Sequence, residues 1–312
     1  MTSPRILFMG TPSFALPTLE ILHSQHYPLI GVVTQPDRPQ GRGQRKIALP
    51  VKILAQKLGL QIFQAENIKD QSFIELVRKL NPEMIVVAAF GKILPKAIID
   101  LPSLGCLNIH PSLLPKYRGA APINWAIIRG ETKTGITIML MDEGMDSGDI
   151  LMQEETSISE QEAFGQLQNR MATQGALLLI KTIKQVIAGT IQRIPQNISE
   201  VSFAPRLNRE TGHIKWQDNV LDIYNLIRGL NPSPAAYTLL DGQLLKIFAA
   251  KPKPGKVAKP PGKIGEQTPE GLAVAAADGY LILKEVQLAG KKKMPANEFF
   301  RGYRLNPEII FG

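Results

Sequence analysis

The residues best suited to chemistry lie in one run of the sequence, 105–119, which reads Gly-Cys-Leu-Asn-Ile-His-Pro-Ser-Leu-Leu-Pro-Lys-Tyr-Arg-Gly. The run begins as a predicted strand, in which alternate residues share a face, so Cys106, Asn108 and His110 point the same way. Pro111 ends this strand and leaves His110 at its carboxyl end, the edge where open parallel sheets bind ligands. An amide and an imidazole side by side at that edge are suited to stabilising an oxyanion.

A carboxylate from a glycine-containing loop would complete this group. The predicted strand Ile136–Met141 leads into an acidic loop, 142–149, whose glycines allow a tight turn. Asp146 of this loop could pair with His110, keep it cationic and relay a proton from an attacking amine. Such a group contains no nucleophilic side chain, and it suits direct transfer between two bound substrates.

Other interpretations of the same residues are weaker. A histidine at a strand end can be simply hydrogen-bonded, but the amide on its face and the acidic loop favour a site. Cys106 could be a nucleophile, yet it lies ~7 Å inward from Asn108 by strand rise, which favours a buried, inert thiol. The 142–149 loop lacks the order of acids and glycines of a calcium loop, so we expect no metal. The turn at 10–14 lacks the G-x-G-x-x-G fingerprint of a nicotinamide site.

The elements that must position these residues have the pattern of an α/β protein with a parallel sheet. Short apolar runs alternate with helical patterns through the first half of the chain. The strands predicted there are Ile6–Met9, Leu29–Thr34, Met84–Ala88, Gly105–Ile109, Ile136–Met141 and Ile150–Gln153. The predicted helices are Phe14–Ser24, Val51–Leu58, Ser72–Leu80, Ile123–Arg129 and Glu160–Ala188. The last helix is expected to stop at Gly189 and to close a first domain, 1–189.

The pattern changes after residue 189. Residues 190–206 show little periodicity, and we interpret them as a linker to a second domain, 207–312. That domain begins with a predicted helix, Asp218–Gly229, and continues with short β-rich pieces between Gly/Pro turns, which indicates a small antiparallel barrel. The predicted strands are Tyr237–Leu240, Leu244–Ala249, Leu272–Ala275 and Tyr280–Val286. The run 251–263 carries five lysines and no acid, and we expect an exposed loop there.

Composition limits the class of protein. No apolar run approaches the ~18–20 residues that span a bilayer, and an apolar strand begins too early to leave room for a signal or transit segment. The single cysteine excludes an internal disulfide and fits a cytoplasmic location. Residues 206–312 hold 16 Lys and Arg against 10 Asp and Glu, within a net charge of +9. This basic third indicates either a polyanion partner or merely a soluble basic surface.

The run from Asn108 to Gly119, with the Asp146 loop downstream, resembles the folate-dependent formyltransferases. The resemblance implies a Rossmann-like domain on which Asn108, His110 and Asp146 are the catalytic trio, with 10-formyltetrahydrofolate as formyl donor. Two stretches resemble the family's folate-binding segments. The residues that the resemblance assigns to folate are Ser112, Leu113, Leu114 and Pro115 of the signature, and Ala89, Phe90, Gly91 and Ile93 of the loop against which the pterin lies.

Two further features resemble one branch of that superfamily, the methionyl-tRNA formyltransferases. The first is the loop 35–46, whose cations are Arg38, Arg42, Arg45 and Lys46. Taken alone this loop would be a solvated flap, but the resemblance implies contact with the acceptor end of tRNA, with Arg42 as the central arginine. The second is the stretch 207–237, which resembles the start of a tRNA-binding C-terminal barrel of OB-like topology. We expect Trp216 and Tyr237 to be core residues rather than base-stacking ones.

The function that the resemblance implies is formylation of the α-amino group of methionyl initiator tRNA, to give N-formylmethionyl-tRNA for translation initiation, by a cytoplasmic monomer. Two alternatives stay open at this point. A relative with a small acceptor, such as an amino sugar, would share the trio but have no use for a basic loop. A non-enzymatic RNA-binding module would not need polar side chains on the 106–110 strand.

Overall fold

The computed structural model describes residues 3–40, 45–303 and 310–312, with the backbone alone at 38–40 and 45–47. The strands of these residues are, in chain order, β1 Ile6–Gly10, β2 Leu29–Thr34, β3 Arg38–Gln40, β4 Arg45–Ile47, β5 Ile62–Gln64, β6 Met84–Ala88, β7 Cys106–His110, β8 Arg118–Gly119, β9 Lys133–Leu140, β10 Ile150–Ser157, β11 Phe203–Ala204, β12 Ala236–Leu240, β13 Gln243–Pro254, β14 Ile264–Thr268, β15 Gly271–Ala275, β16 Gly279–Leu288 and β17 Met294–Pro295. The helices are α1 Leu16–Ser24, α2 Pro50–Lys57, α3 Gln71–Leu80, α4 Lys96–Ile99, α5 Pro122–Ile128, α6 Phe164–Ala188, α7 Val220–Leu230 and α8 Ala296–Gly302.

The chain divides into two compact units, each assembled from more than one segment. The first unit consists of Met1–Pro122, Thr134–Ser157 and Gln168–Pro205. The second unit consists of Ile123–Lys133, Ile158–Leu167 and Arg206–Gly312. Residues 190–205, which the sequence pattern favours as a linker, therefore lie in the first unit. They are held there by hydrogen bonds, among them a bridge in which the backbones of Ile194 and Ile150 exchange bonds of 2.9 Å.

The first unit is built on a seven-stranded sheet with the order β10-β9-β7-β6-β1-β2-β5. Strands β5, β2, β1, β6 and β7 are parallel neighbours, and β9 runs antiparallel to β7. Every residue of the central strand β1 is buried, as expected for a continuous apolar run covered on both faces. The mostly parallel sheet predicted from the alternating pattern is confirmed, and its carboxyl edge is where β6 and β7 end.

Helices cover both faces of β7. On one face, the Cys106 thiol lies against the backbone carbonyls of Ile98 and Ile99 in α4. On the other face, α6 approaches so closely that a Cβ on its Gly175 would stand 2.8 Å from Ile109. Alternate residues of β7 thus face opposite layers, as predicted. Helix α6 ends where expected, before Gly189, whose φ of +66° suits glycine.

The second unit is an antiparallel β domain around a single hydrophobic core. Its strands follow the order β12-β13-β16-β15-β14, with β17 paired to β16. Residues 310–312 join the two edges of this sheet, because Gly312 O accepts from Leu239 N of β12 at 2.7 Å and Phe311 N donates to Gly262 O, just before β14, at 2.9 Å. The predicted antiparallel domain is confirmed. Trp216 lies in its core and donates to the Thr238 hydroxyl at 3.0 Å.

Several elements differ from their predicted extent. Residues 251–254, expected in an exposed loop, instead extend β13 and pair with 279–282 of β16. Their prolines are tolerated because β12 pairs only with 243–247, which leaves 251–254 an open edge on that side. The elements β5 and α4 were not predicted, since three or four residues carry too little periodicity. In the described residues, no helix is long and apolar enough to cross a membrane.

Candidate active site

His110 is the last residue of β7 and is buried, with 4% of its surface exposed. Its Nε2 lies 3.0 Å from the backbone carbonyl oxygen of Tyr117, and its Nδ1 lies 3.5 Å from Oδ1 of Asp146. A carbonyl oxygen only accepts hydrogen bonds, so Nε2 carries a proton. A second proton on Nδ1 turns the contact with Asp146 into an ion pair, and the geometry therefore suits a cationic imidazolium.

Asp146 lies in the loop between β9 and β10, and its backbone adopts a left-handed conformation with φ of +52°. Its other carboxylate oxygen, Oδ2, accepts a hydrogen bond of 2.8 Å from the backbone N–H of Gly119. The loop is tight, since a Cβ on Gly148 would stand 1.8 Å from the carbonyl oxygen of Leu140. The glycine predicted to permit a tight turn is therefore required at position 148.

Asn108 is half-buried on the same face of β7 as His110. Among the residues that the structure describes, its side-chain amide has no hydrogen-bond partner, so its N–H groups are available to a ligand. The structure thus brings together the three residues that the sequence singles out. They provide a free amide donor, an imidazole and a carboxylate at the carboxyl edge of the sheet.

Cys106 does not take part in this group. It is 1% exposed, and burial, with a smaller contribution from Asp100, raises the pKa of its thiol to about 12. A thiol with this pKa stays protonated at neutral pH and is a poor nucleophile. The acidic loop contributes no metal cluster either: in the described part of the chain, no three His, Cys, Asp or Glu side chains are grouped as metal ligands would be. Asp142 accepts from the Ser147 hydroxyl and from Gly144 N, which shapes the loop.

The turn that follows His110 is fixed by buried and partly buried hydrogen bonds. The Thr137 hydroxyl donates to Ser112 O at 2.7 Å and accepts from Leu114 N at 3.1 Å. The Gln153 amide donates to both Leu114 O and the Thr137 hydroxyl at 2.8 Å. Ser112 is 0% exposed and its own hydroxyl donates to Lys116 O at 2.6 Å. Of the four residues of the predicted folate signature, only Leu113 is partly exposed to solvent. The others, Ser112, Leu114 and Pro115, are buried.

The predicted pterin loop follows β6, at the same edge of the sheet. Phe90 is buried, whereas Ala89 and Gly91 are exposed and have positive φ angles of +45° and +76°. The Gln35 amide holds the loop by donating to Phe90 O at 2.8 Å. Ile93 is 68% exposed, which leaves an apolar side chain uncovered beside the strand end.

The basic loop lies only partly within the described residues. Arg38 belongs to β3 and both Arg45 and Lys46 belong to β4, and these short strands form an antiparallel hairpin. The sequence pattern predicted a loop here and did not identify the hairpin. Arg42 lies outside the described residues, between the two strands.

The sequence pattern did not identify the residues that hold the Asp146 loop in place. Gly119 and Arg118 form β8, which pairs with β11 of the 190–205 segment, and Gln196 of that segment contacts both Arg118 and the Asp146 loop. No local pattern marks Gln196, because its partners lie about 50 to 80 residues earlier in the chain.

Two family models and several named relatives match this chain over most of its length. The formyl transferase family model matches residues 4–183, and the model of the formyl transferase C-terminal domain matches 206–304. The methionyl-tRNA formyltransferase of Syntrophus aciditrophicus is 52% identical over 312 residues, covering 100% of both chains. That of Clostridioides difficile is 42% identical over 308 residues, covering 99% of this chain and 100% of its own.

Solved structures with a similar fold are more distant in sequence. HypX from Aquifex aeolicus in complex with tetrahydrofolic acid superposes with a TM-score of 0.66 at 16% identity, covering 96% of this chain and 47% of its own. An N-formyltransferase from Helicobacter canadensis, in complex with folinic acid and dTDP-3-aminofucose, has a TM-score of 0.65 at 19% identity and covers 94% and 100%. These two likenesses support the fold.

Proposed function

The chain belongs to the methionyl-tRNA formyltransferase family, and we propose that it transfers the formyl group of 10-formyltetrahydrofolate to the α-amino group of methionyl initiator tRNA. The observation that carries formyl transfer is the group formed by Asn108, His110 and Asp146, and the tRNA acceptor rests on the full-length relatives that are methionyl-tRNA formyltransferases. Two polar side chains and a carboxylate meet at the carboxyl edge of the sheet, and the neighbouring thiol is buried. The product, N-formylmethionyl-tRNA, would serve translation initiation in the cytoplasm, and we propose that the chain acts as a monomer.

The chemistry of the site fits attack of a neutral amine on a formyl carbon. The free amide of Asn108 donates to the formyl oxygen as negative charge develops there, and the cationic ring of His110 stabilises that charge. Asp146 keeps the ring charged and takes up the proton that the attacking amine loses. The tetrahedral intermediate then collapses: the bond between the formyl carbon and N10 of the folate breaks, N10 receives that proton, and tetrahydrofolate leaves. Because both ring nitrogens of His110 face protein acceptors, the ring acts on the formyl oxygen through its charge and keeps its contact with Asp146.

The residues at this edge also fit a reduced folate. The exposed apolar side chain of Ile93 and the open backbone of Ala89 and Gly91 offer a surface that a pterin ring would cover. Leu113 would contact the ligand directly. Ser112, Leu114 and Pro115, being buried, would act by shaping the turn.

Recognition of tRNA is proposed for two basic regions. Arg38, Arg42, Arg45 and Lys46 of the segment 35–46 would contact the acceptor end, and the basic second unit would contact the phosphate backbone. In this proposal the catalytic domain is 1–189 and the tRNA-binding domain is 207–312. The segment 190–206 joins them in sequence, and its residues 190–205 also support the Asp146 loop.

The test offers the purified protein 10-formyltetrahydrofolate together with methionyl initiator tRNA, free methionine, an amino sugar or water. We expect formyl-methionine on the tRNA and no turnover with the other acceptors. His110→Asn serves as a control for formyl transfer by a contaminating enzyme. Folate turnover with a small amine or water, and none with tRNA, would contradict the proposed acceptor while keeping the trio.

A further inference from the structure

Gln196 lies in the segment 190–205, two residues after the point where this segment is bridged to β10. The Ile194–Ile150 bridge fixes the backbone beside the Asp146 loop, and the half-buried Gln196 side chain reaches that loop. It makes two hydrogen bonds to that loop and two to Arg118, more than an incidental surface contact would supply.

Both polar atoms of the Gln196 side-chain amide form hydrogen bonds. Its Nε2 donates to the backbone carbonyl of Asp146 at 2.9 Å and to that of Gly148 at 2.8 Å. Its Oε1 accepts from Nε of Arg118 at 3.0 Å and from Nη2 at 2.7 Å. Only one orientation of the amide satisfies these contacts, because carbonyls only accept hydrogen bonds and a guanidinium only donates them.

The hydrogen bonds of Gln196 reach both parts of the chain that hold the Asp146 carboxylate in place. One part is the backbone of Asp146 itself, whose left-handed φ of +52° is sparsely populated for residues other than glycine. The other part is β8, where Gly119 N donates to Asp146 Oδ2 and Arg118 binds Gln196. Strand β8 is paired with β11 of the Gln196 segment, so it has little freedom to move away.

We propose that Gln196, with Arg118, is a positioning residue for formyl transfer: it holds the Asp146 loop so that the carboxylate stays against Nδ1 of His110. The inference rests on the proposed function of Asp146. Gln196 acts through the backbone of residues 146 and 148 and through β8. Its effect is therefore on the rate of the chemical step and not on the binding of either substrate.

The first test compares Gln196→Ala and Gln196→Glu with the wild-type protein. Glutamate keeps the shape and the acceptor for Arg118 but turns a carboxylate oxygen toward two carbonyl oxygens. We expect kcat to fall on the order of 10- to 100-fold in both variants, since misplacement by about 1 Å has this effect. The KM values for methionyl-tRNA and for 10-formyltetrahydrofolate are expected to stay within about twofold, given the role proposed here.

Gln174 provides a matched control in the same unit. It is also half-buried, and its Nε2 donates to Glu154 Oε1 at 2.9 Å and to Glu155 O at 3.4 Å, away from the Asp146 loop. Gln174→Ala is expected to keep the wild-type kcat. A similar loss in this variant would assign the effect to general support of the unit and overturn the inference.

A double-mutant cycle separates positioning from stability. If Gln196 acts through the Asp146 carboxylate, Gln196→Ala adds less than about a twofold loss of kcat in the Asp146→Asn background, because coupled residues are not additive. Rates are normalised to folded protein by circular dichroism. Full additivity, a wild-type kcat in folded Gln196→Glu, or failure of both Gln196 variants to fold would each overturn the inference. A wild-type protein inactive on methionyl-tRNA would instead reject the proposed function.

Discussion

At the scale of single residues, the site depends on how two side chains are held as well as on their presence. His110 faces an acceptor with each ring nitrogen, and Asp146 uses one oxygen for His110 and the other for Gly119 N. Asn108 has no such partner among the described residues and remains open to a ligand. The imidazole and carboxylate are thus oriented before any substrate arrives, which lowers the reorganisation needed during the reaction.

Replacing either oriented residue should abolish turnover and spare tRNA binding. We expect His110→Asn and Asp146→Ala to lose ~10²–10³-fold or more in kcat, as for other groups that stabilise developing charge. Steady-state rates and the Kd for tRNA are measured together. Glu20→Gln is the control, since it removes an exposed acid of α1. A loss of tRNA affinity as large as the loss of rate would argue against a catalytic role.

For the buried cysteine, we predict an inert side chain. Because burial raises the pKa of Cys106 to about 12, its thiolate fraction in the folded protein at pH 9 is far below that of an unfolded thiol with a pKa of 9.0. Iodoacetamide should therefore alkylate the native protein on the order of 10²–10³-fold more slowly than the urea-unfolded protein at this pH. Comparable rates would show that Cys106 is accessible and ionised, which would reopen its role as a nucleophile.

At the scale of elements, the sequence predicts strands and helices with a regular apolar pattern and misses elements of only a few residues. The apolar runs of β1, β2, β6 and β7 and the 3.6-residue period of α3 identify the sheet and its cover, because burial of a whole face leaves a regular pattern. The two-residue pairing of β8 with β11 leaves none, since it joins chain segments 85 residues apart. His110, Asn108 and Asp146 could be found from residue type and spacing. Gly119 and Gln196 could not. Gly119 acts through a backbone N–H, which every residue except proline carries, and the partners of the Gln196 side chain are distant in sequence.

The predicted contact with the tRNA acceptor end belongs to the basic segment 35–46. Arg42→Ala should lower kcat/KM for methionyl-tRNA about tenfold or more while leaving the KM for folate unchanged, because losing a charge-assisted phosphate contact weakens only the polyanion. Lys79→Ala, which removes an exposed charge at the end of α3, is the matched control. Equal values of kcat/KM for the Arg42 variant and the wild type would remove this segment from the mechanism.

At the scale of the whole molecule, positive charge is concentrated toward the carboxyl terminus. Some of the lysines of the second unit are paired, such as Lys251 and Lys284 with Glu270, where the two lysines hold the pKa of Glu270 below its ordinary value. Lys253, near the end of β13, and Lys256, just after this strand, are also exposed. The second unit therefore presents charge for which a phosphate backbone is a natural partner.

This charge predicts a salt dependence specific to tRNA. We expect log kcat/KM for methionyl-tRNA to fall linearly with log salt, and the double variant Lys253→Gln, Lys256→Gln to reduce the slope by about 0.7–0.9 per lost phosphate contact. Turnover is measured across a salt series at saturating folate. The pair Lys57→Gln, Lys184→Gln removes the same charge from the first unit. If both pairs change the slope equally, tRNA responds to net charge and not to the second unit.

The way in which the second unit is threaded limits how it can be exchanged. Its helix α7 is tied to two earlier stretches of chain: Asn124 donates to Gly229 O, and Arg228 donates to Ser159 O. A fragment cut at residue 206 would therefore lack partners that belong to its own fold. During synthesis, residues 123–133 and 158–167 leave the ribosome long before α7 and must wait for it. A chimera that joins another catalytic half at this junction would also need residues 123–133 and 158–167 of this chain. The two halves therefore cannot be exchanged by a single fusion at residue 206.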